Sequence, residues 1–326
     1  MVAVRGQGWC GNKAAQWYIM ADLSTIPEDK PAMPHRLVFC LLFMVLPTLA
    51  PAQVQILATI KPLQLIAAAV AVDGAAIRLL MAPGQSPHHH TLKPSDRSAL
   101  ADADLVIWVG EGLETHLAEV LSNPVDGRRI LRLDQLDTIT LLPLRAGHGD
   151  GHDHGRIDPH LWLHSGNALA LAHELSLALS ELDPANRDTY HRNYQRFSEQ
   201  LVALRHEIDL QMQPLREHSF VVYHDAIQYF EAEFELQHAL ALVSDTEMQP
   251  GMRHIIRTRS AISEQQPRCL LTDNTASPST IDTLLGGHRL RQVELDLLGS
   301  RLVPGQDGFA DLFRRLAADI EACLGP

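Results

Sequence analysis

The chain has 326 residues, of which 46% are hydrophobic and 20% are charged, and its formal net charge is -12. This length is sufficient for two globular domains. The acidic balance argues against nucleic acid or an anionic membrane surface as a partner. It is compatible with a protein that attracts cations.

The first 52 residues have the layout of an upstream extension followed by a secretory signal peptide. A short basic start at 33–36 precedes an apolar run at 37–49, and residues 50–52 form an A-x-A cleavage site. The apolar run is too short to span a bilayer. We therefore expect translation to start at Met33, cleavage after Ala52, and a periplasmic protein that begins near Gln53.

Export also bears on the cysteines. Removal of the leader leaves Cys269 and Cys323 as the two cysteines of the mature chain. In an oxidising compartment such a pair is expected to form a disulfide bond. Closing a loop of about 54 residues would stabilise the fold by roughly 4 kcal/mol in the chain-entropy model.

The first half of the mature chain alternates between predicted strands and helices. The predicted strands are 54–60, 77–81, 105–109 and 129–133. The predicted helices are 63–72, a short helix capped by Ser95 and Asp96, and 112–121. Strands that alternate with helices at this spacing predict a parallel α/β sheet.

The middle of the chain is helical, and the alternation then resumes. A helix at 167–182 is followed by a run at 185–213 that is long enough to bridge two bodies. Further elements follow it: strands at 220–223, 235–242, 269–272 and 292–295, and helices at 226–233, 252–265, 279–285 and 309–323. The sequence predicts an α/β protein with two four-stranded, mainly parallel lobes, 53–184 and 214–326, joined by one long helix.

Residues 145–164 contain five histidines in two different settings. His160 leads into the apolar run 161–163, so packing should anchor it. The loop at 146–156 is rich in glycine and aspartate and cannot form a core. We interpret the loop as a metal-capture segment beside a metal site, and the alternative is a solvated loop followed by an ordinary buried histidine. The loop histidines are His148, His152 and His154.

Three polar residues lie where predicted strands end. His88 follows the second strand, His224 comes directly after 220–223, and Asp296 follows 292–295. Open α/β sheets bind ligands beyond the carboxyl ends of their strands. With His160, these residues can converge in a cleft between the lobes, and three imidazoles with one oxygen ligand suit Zn²⁺. His224 also fits a capping role, and Asp296 also fits a turn or a helix N-cap.

The other histidines lack a shared motif. His89 and His90 are predicted to be solvated loop residues. Surface positions on or near helices are predicted for His116, His173, His191, His206, His238, His254 and His288. The sequence contains no HExxH motif, which argues against a secreted zinc hydrolase. A periplasmic metal buffer that works without a transporter is a further alternative.

Three segments resemble the metal-ligand motifs of the zinc-binding receptor of bacterial high-affinity zinc uptake ABC transporters. They are residues 84–96 around His88, residues 158–163 around His160 and residues 224–230 around His224. As in that family, a loop rich in histidine and acidic residues separates the first two motifs. The resemblance runs in consistent order from Val54 to the C-terminus, and it includes the C-terminal cysteine pair.

The resemblance implies a two-lobed, monomeric receptor without enzymatic activity that delivers Zn²⁺ to an inner-membrane permease with a cytoplasmic ATPase. The implied ligands are His88, His160 and His224. Manganese-binding relatives tend to have a carboxylate where His224 stands, which favours zinc over manganese or another divalent metal. Some zinc receptors have Glu before the first histidine, where Pro87 stands here. The fourth ligand is therefore either Asp296 or water.

Overall fold

The computed structural model describes most of the chain beyond the expected cleavage site. The expected start at Met33, the cleavage site at 50–52 and the histidines of the loop at 146–156 lie outside the described residues. The described residues are 2–8, 15–21, 53–71, 74–122, 128–145, 157–243 and 251–325.

The chain divides into two compact units, Met1–Pro51 and Ala52–Pro326. In the first unit, strand β1 (Val2–Gly8) pairs with strand β2 (Ala15–Ala21) in antiparallel register. The second unit contains both predicted lobes. In the described parts of both units, no helix has the length and apolar character that a membrane crossing requires.

The N-terminal lobe is built on a four-stranded parallel sheet. Its strands are β3 (Val54–Ala58), β4 (Ala75–Leu79), β5 (Leu105–Trp108) and β6 (Arg129–Arg132). They lie in the order β4-β3-β5-β6, and all neighbouring pairs are parallel, as predicted. The helices of this lobe are α1 (Lys61–Ala71), α2 (Pro94–Asp102) and α3 (Thr115–Ser122).

Two helices lead from the first sheet to the second. Helix α4 (Ser165–Leu182) packs along helix α5 (Arg187–Met212), which corresponds to the long helix predicted at 185–213. A 3₁₀ turn at Gln213–Leu215 follows α5, because Pro214 cannot continue an α-helix. The buried face of α5 repeats every three or four residues: Tyr190, Asn193, Phe197, Leu201, Leu204, Ile208 and Met212.

The C-terminal lobe repeats the design of the first lobe. Its strands are β7 (Val221–His224), β8 (Leu240–Val243), β9 (Cys269–Thr272) and β10 (Arg291–Glu294), in the parallel order β10-β9-β7-β8. Its helices are α6 (Gln228–Phe234), α7 (Met252–Gln265), α8 (Pro278–Leu285) and α9 (Gly308–Leu324).

One predicted strand, 235–242, begins later than expected. Glu235 has φ 57° and ends α6 in the left-handed region, and Leu236 donates its backbone N–H to the carbonyl of Glu231. These contacts complete a helix terminus, so the residues before Leu240 form a turn. The rest of the predicted alternation is confirmed, with element ends shifted by a few residues.

The central strands of the two sheets are buried on both faces, and one core is shared between the lobes. Successive strand residues point to opposite faces, so Ile107 of β5 and Leu271 of β9 enter the shared core. Their neighbours Val106 and Leu270 belong to separate smaller clusters on the outer faces. Burial on both faces explains why central strands such as β5 and β9 are apolar runs rather than alternating ones.

The last helix, α9, closes the second unit. It packs against α1 and α5 of the first half as well as against β9 and β10. The rings of Phe309 and Phe313 contact Phe197 of α5 and Phe230 of α6. A disulfide between Cys269 and Cys323 joins the end of α9 to β9, with the two Cα atoms 5.6 Å apart.

Candidate metal centre

His224 is the last residue of β7, at the carboxyl edge of the C-terminal sheet. Asp273 follows the neighbouring strand β9 at the same edge, and its carboxylate lies 3.2 Å from Nδ1 of His224. Burial raises the pKa of Asp273, but the hydrogen bond and charge of His224, together with the hydrogen bonds of Thr275, hold it below its usual value. The Nδ1–H of His224 therefore donates to Asp273, which leaves Nε2 for a metal.

His160 precedes a 3₁₀ turn at Leu161–Leu163, whose three side chains are buried. Oδ1 of Asp158, a fully buried residue, lies 2.7 Å from Nδ1 of His160 and accepts the backbone N–H of His160 at 2.9 Å. The indole of Trp162 donates to the carbonyl of Leu297 in the C-terminal lobe at 2.9 Å. The structure thus contains the expected packing anchor of His160, and Nε2 is again the nitrogen left for a metal.

His88 is half-buried in a 3₁₀ turn at Pro87–His89, in the loop that follows β4. His90 of the same loop was predicted to be solvated. That prediction is wrong, because His90 is only 8% exposed. Its Nε2 lies 3.0 Å from the carboxylate of Asp96, which also accepts the backbone N–H of Lys93 at 2.9 Å. Asp96 therefore fixes the loop that carries His88.

Four histidines predicted to lie on the surface are also partly buried: His116, His238, His254 and His288. The ring of His116 packs against that of His90, with centroids 5.3 Å apart, and burial followed by the charge of His90 lowers the pKa of His116. Nδ1 of His238 lies 2.7 Å from the carboxylate of Glu231, which is fully buried. The partner of His116 lies on another segment of the chain, and Glu231 lies on the helix that precedes His238, so neither contact follows from a local motif.

The three candidate ligands come together at one place. The ring centroids of His160 and His224 are 5.0 Å apart, and those of His88 lie 5.6 Å from His160 and 6.1 Å from His224. Each ring offers one nitrogen, and these three atoms lie within 4.8 Å of one another. Three neutral imidazoles from three separate segments form a nitrogen-rich donor set, which suits a borderline-soft cation such as Zn²⁺.

Asp296 makes hydrogen bonds to the backbone that follows it. Its carboxylate accepts the backbone N–H of Ser300 at 2.9 Å and that of Arg301 at 3.4 Å. In the part of the chain that the structure describes, it does not belong to the group of ligand atoms that the three histidines form. Asp296 therefore has the turn role that the sequence also allowed.

A second cluster of candidate ligands comprises Asp225, Glu231 and His238. The guanidinium of Arg145 lies among these side chains, 2.9 Å from the carboxylate of Asp225 and 2.6 Å from that of Glu231. Burial outweighs Arg145 and raises the pKa of Asp225. Because a guanidinium already provides the positive charge, this cluster is an ion-pair network that joins the residue before the histidine-rich loop to the C-terminal lobe.

A metal site formed between two parallel α/β lobes that a long helix joins defines a metal-binding receptor. The chain belongs to the family described as ZnuA, zinc-uptake complex component A periplasmic, whose profile matches residues 56–323. Among curated relatives, the high-affinity zinc uptake system protein ZnuA of Yersinia pestis is 30% identical over 293 residues, which cover 84% of this chain and 92% of that protein. The ZnuA of Brucella abortus is 28% identical and covers 82% and 91%.

Solved structures support the same fold. A crystal structure of ZnuA has a TM-score of 0.71 and 22% identity, and the match covers 84% of this chain and all of that chain. The periplasmic zinc binding protein TroA of Treponema pallidum has a TM-score of 0.69 and 19% identity, with 84% of this chain and 100% of that chain covered. At these identities the likeness concerns the two-lobed architecture.

Proposed function

We propose that this protein captures Zn(II) in the periplasm and delivers it to an inner-membrane ABC permease with a cytoplasmic ATPase. The observation that carries the proposal is the convergence of His88, His160 and His224, whose ligand atoms lie within 4.8 Å of one another. Relatives that cover most of the chain are named as high-affinity zinc uptake proteins. The role proposed is that of a receptor, without a catalytic step.

Zinc is the proposed cargo because the donor set consists of imidazole nitrogens. Carboxylate and water oxygens suit Mn²⁺, whereas imidazole suits Zn²⁺. Since Asp296 is bonded to the backbone of Ser300 and Arg301, we propose water in the fourth position. Tetrahedral zinc with three protein nitrogens and one water leaves an exchangeable position through which the ion can be handed over.

We further propose the organisation of the mature chain as a monomer. The N-terminal lobe comprises 53–184 with the histidine-rich loop 146–156, the connecting helix 185–213, and the C-terminal lobe 214–326. The signal peptide ends near Ala52, behind a translation start at Met33. His148, His152 and His154 form an auxiliary, weaker zinc site, because ordering each loop residue costs roughly 1–2 kcal/mol of backbone freedom.

Metal analysis and titration of the protein purified from the periplasm test this proposal. We expect one tightly bound zinc per chain, which a chelator removes and which Mn²⁺ at equal concentration does not displace. Tighter binding of Mn²⁺ than of Zn²⁺ would contradict the assignment of the cargo. Intact mass of the same sample locates the cleavage site, and a form that retains Met33 would contradict the proposed processing.

The transport role has its own test. In a zinc-uptake-deficient strain, the wild-type gene should restore growth in the presence of a zinc chelator, whereas the His160→Ala variant should not. The matched control is His206→Ala, because His206 lies exposed on α5. Full restoration by His160→Ala would contradict a function that depends on this centre.

A further inference from the structure

Tyr229 joins the segment that carries the second ligand to the helix that follows the third. It lies on α6, five residues after His224, and it is fully buried. Its hydroxyl donates to the backbone carbonyl of Asp158 at 2.9 Å and accepts the backbone N–H of Leu142 at 3.0 Å. One buried hydroxyl therefore makes two hydrogen bonds across the boundary between the lobes.

The two backbone groups that Tyr229 contacts belong to two segments that are hydrogen-bonded to each other. The backbone N–H of Asp158 donates to the carbonyl of Leu142 at 2.9 Å, and Pro143 pairs with Ile157 in an isolated antiparallel bridge. The hydroxyl of Tyr229 thus completes a closed set of hydrogen bonds around Asp158. Removal of the hydroxyl would take a partner from the partly buried N–H of Leu142 and from the carbonyl of Asp158.

Asp158 transmits this contact to the metal centre. Its side chain holds the ring of His160 through Nδ1 at 2.7 Å, while its backbone is held by Tyr229. His224 begins the segment that leads to Tyr229, so both ends of the connection are metal ligands. We propose that Tyr229 is a positioning residue that sets the distance between His160 and His224 before zinc binds.

Neighbouring contacts support a rigid connection at this boundary. The side-chain amide of Gln228 donates to the carbonyl of Pro143 at 3.1 Å. Arg145 forms ion pairs with Asp225 and Glu231 of the C-terminal lobe. The segment at 142–145, which pairs with the segment that carries His160, is therefore bonded to the C-terminal lobe at several points. The His160 and His224 rings are the closest of the three pairs.

The test compares two buried tyrosines that differ in position. Tyr229→Phe removes the hydroxyl at the lobe boundary. Tyr190→Phe is the matched control, because Tyr190 is also fully buried and its hydroxyl contacts Asp183 at 2.7 Å and the carbonyl of Gly74 at 3.2 Å. Gly74 precedes β4, at the amino edge of the sheet and therefore opposite the edge where the ligands lie.

We expect both variants to lose thermal stability and only Tyr229→Phe to lose zinc affinity. The expected loss is up to about tenfold, the lower end of the effect of losing an outer-shell partner, because Tyr229 acts on His160 through Asp158. The absorption bands of bound Co²⁺ should change in Tyr229→Phe and match the wild type in Tyr190→Phe. Equal zinc affinity in Tyr229→Phe and the wild type would overturn the inference. Equal losses of zinc affinity in Tyr229→Phe and Tyr190→Phe would also overturn it.

The inference rests on the proposed zinc site, so His160→Ala is measured in the same series. Wild-type affinity in His160→Ala would refute the site and the role of Tyr229 together, whereas loss in His160→Ala with none in Tyr229→Phe refutes only the latter. Gln228→Met is the second variant in case Tyr229→Phe does not fold. A severalfold loss of zinc affinity supports the inference, and wild-type affinity in that variant would overturn it.

Discussion

His88 and His160 are equivalent as ligands but are held in different ways. The ring of His160 is hydrogen-bonded to a fully buried carboxylate, and its segment is bonded to the opposite lobe. His88 is half-buried on a short turn, and Asp96 fixes its loop through His90 and Lys93. A ligand that is oriented before the metal arrives loses less freedom on binding. The comparison suggests that His160 provides the fixed part of the centre.

The largest expected effect is on zinc affinity in His160→Ala. Loss of a ligand should weaken binding by more than the ~10–100-fold that loss of an outer-shell partner costs. His88→Ala should cost less than His160→Ala, because His88 is half-buried whereas His160 is buried and bonded to a buried carboxylate. Chelator competition measures both, with His206→Ala as the exposed control. A larger loss in His88→Ala would reverse the comparison.

The next effect concerns the carboxylates that support the two ligand segments. Asp158→Asn should weaken zinc binding about 10–100-fold, because Asp158 contacts the ring of His160 directly. Asp96→Asn should cost less, because Asp96 contacts His90 and Lys93 rather than His88. Titrations of the two variants under identical conditions test this order, and equal losses would show that both ligands depend on their supports alike.

Deletion of the histidine-rich loop should leave the tight site intact. The bridge between Pro143 and Ile157 brings the two ends of this segment together, so a short glycine linker can replace residues 147–155. We expect the weak secondary zinc sites to disappear from the titration while one tight site remains. Loss of the tight site on deletion, with unchanged affinity in His160→Ala, would mean that the roles of centre and loop are reversed.

A pH titration of the zinc-free protein examines the lobe that carries His88. Burial raises the pKa of Glu114, whose carboxylate accepts the backbone N–H groups of Val109 and Gly110, to about 7. The folded state holds the proton of Glu114 more tightly than the unfolded state, where the pKa is 4.5. The protonated carboxyl therefore stabilises the folded state at low pH, and this contribution to the free energy of unfolding is lost as pH rises from 4.5 to about 7.

Glu114→Gln should remove that pH dependence without changing zinc affinity. Urea denaturation at several pH values gives the free energy of unfolding of the wild type and of the variant. The contributions of the histidines are common to both proteins and cancel in the difference. If the two free energies of unfolding ran parallel across this range, the carboxyl of Glu114 would not hold a proton in the folded state.

The smallest effect on zinc is expected from the disulfide. Cys323→Ser removes the bond between α9 and β9, and loss of a native disulfide typically costs 2–5 kcal/mol. The melting temperature should fall while one zinc per chain still binds at the centre. Two free thiols in the unfolded, unreduced wild type would show that the bond does not form in the periplasm.

The sequence predicted the candidate ligands because they follow local patterns. His224 ends an apolar strand and His88 follows one, so the geometry of parallel sheets places each of them at the carboxyl edge of its own sheet. The partners of these ligands could not be predicted in the same way. Asp273 is 49 residues from His224, and Tyr229 is 71 residues from Asp158. Such contacts depend on how the lobes pack, which no local periodicity encodes.

The environments of His90 and Asp296 also could not be predicted from the local sequence. A histidine beside two others in a loop reads as solvated, yet Asp96 six residues later buries it. From the sequence, an aspartate at a strand end is equally compatible with a metal ligand and with a turn residue. Which role Asp296 takes depends on the path of the backbone after Leu297. The long helix was predictable because a run without glycine or proline leaves few alternatives.

The closing helix has a consequence for the order in which this protein can fold. Under the export proposed above, the chain would emerge from its N-terminus, but α1 of the first lobe packs against α9, about 250 residues later. The first lobe would therefore reach the periplasm before α9 can cover its side of α1. Until α9 emerges, this exposed apolar surface would be available to chaperones and prone to aggregation. During the same interval, the thiol of Cys269 would be unpaired in an oxidising compartment.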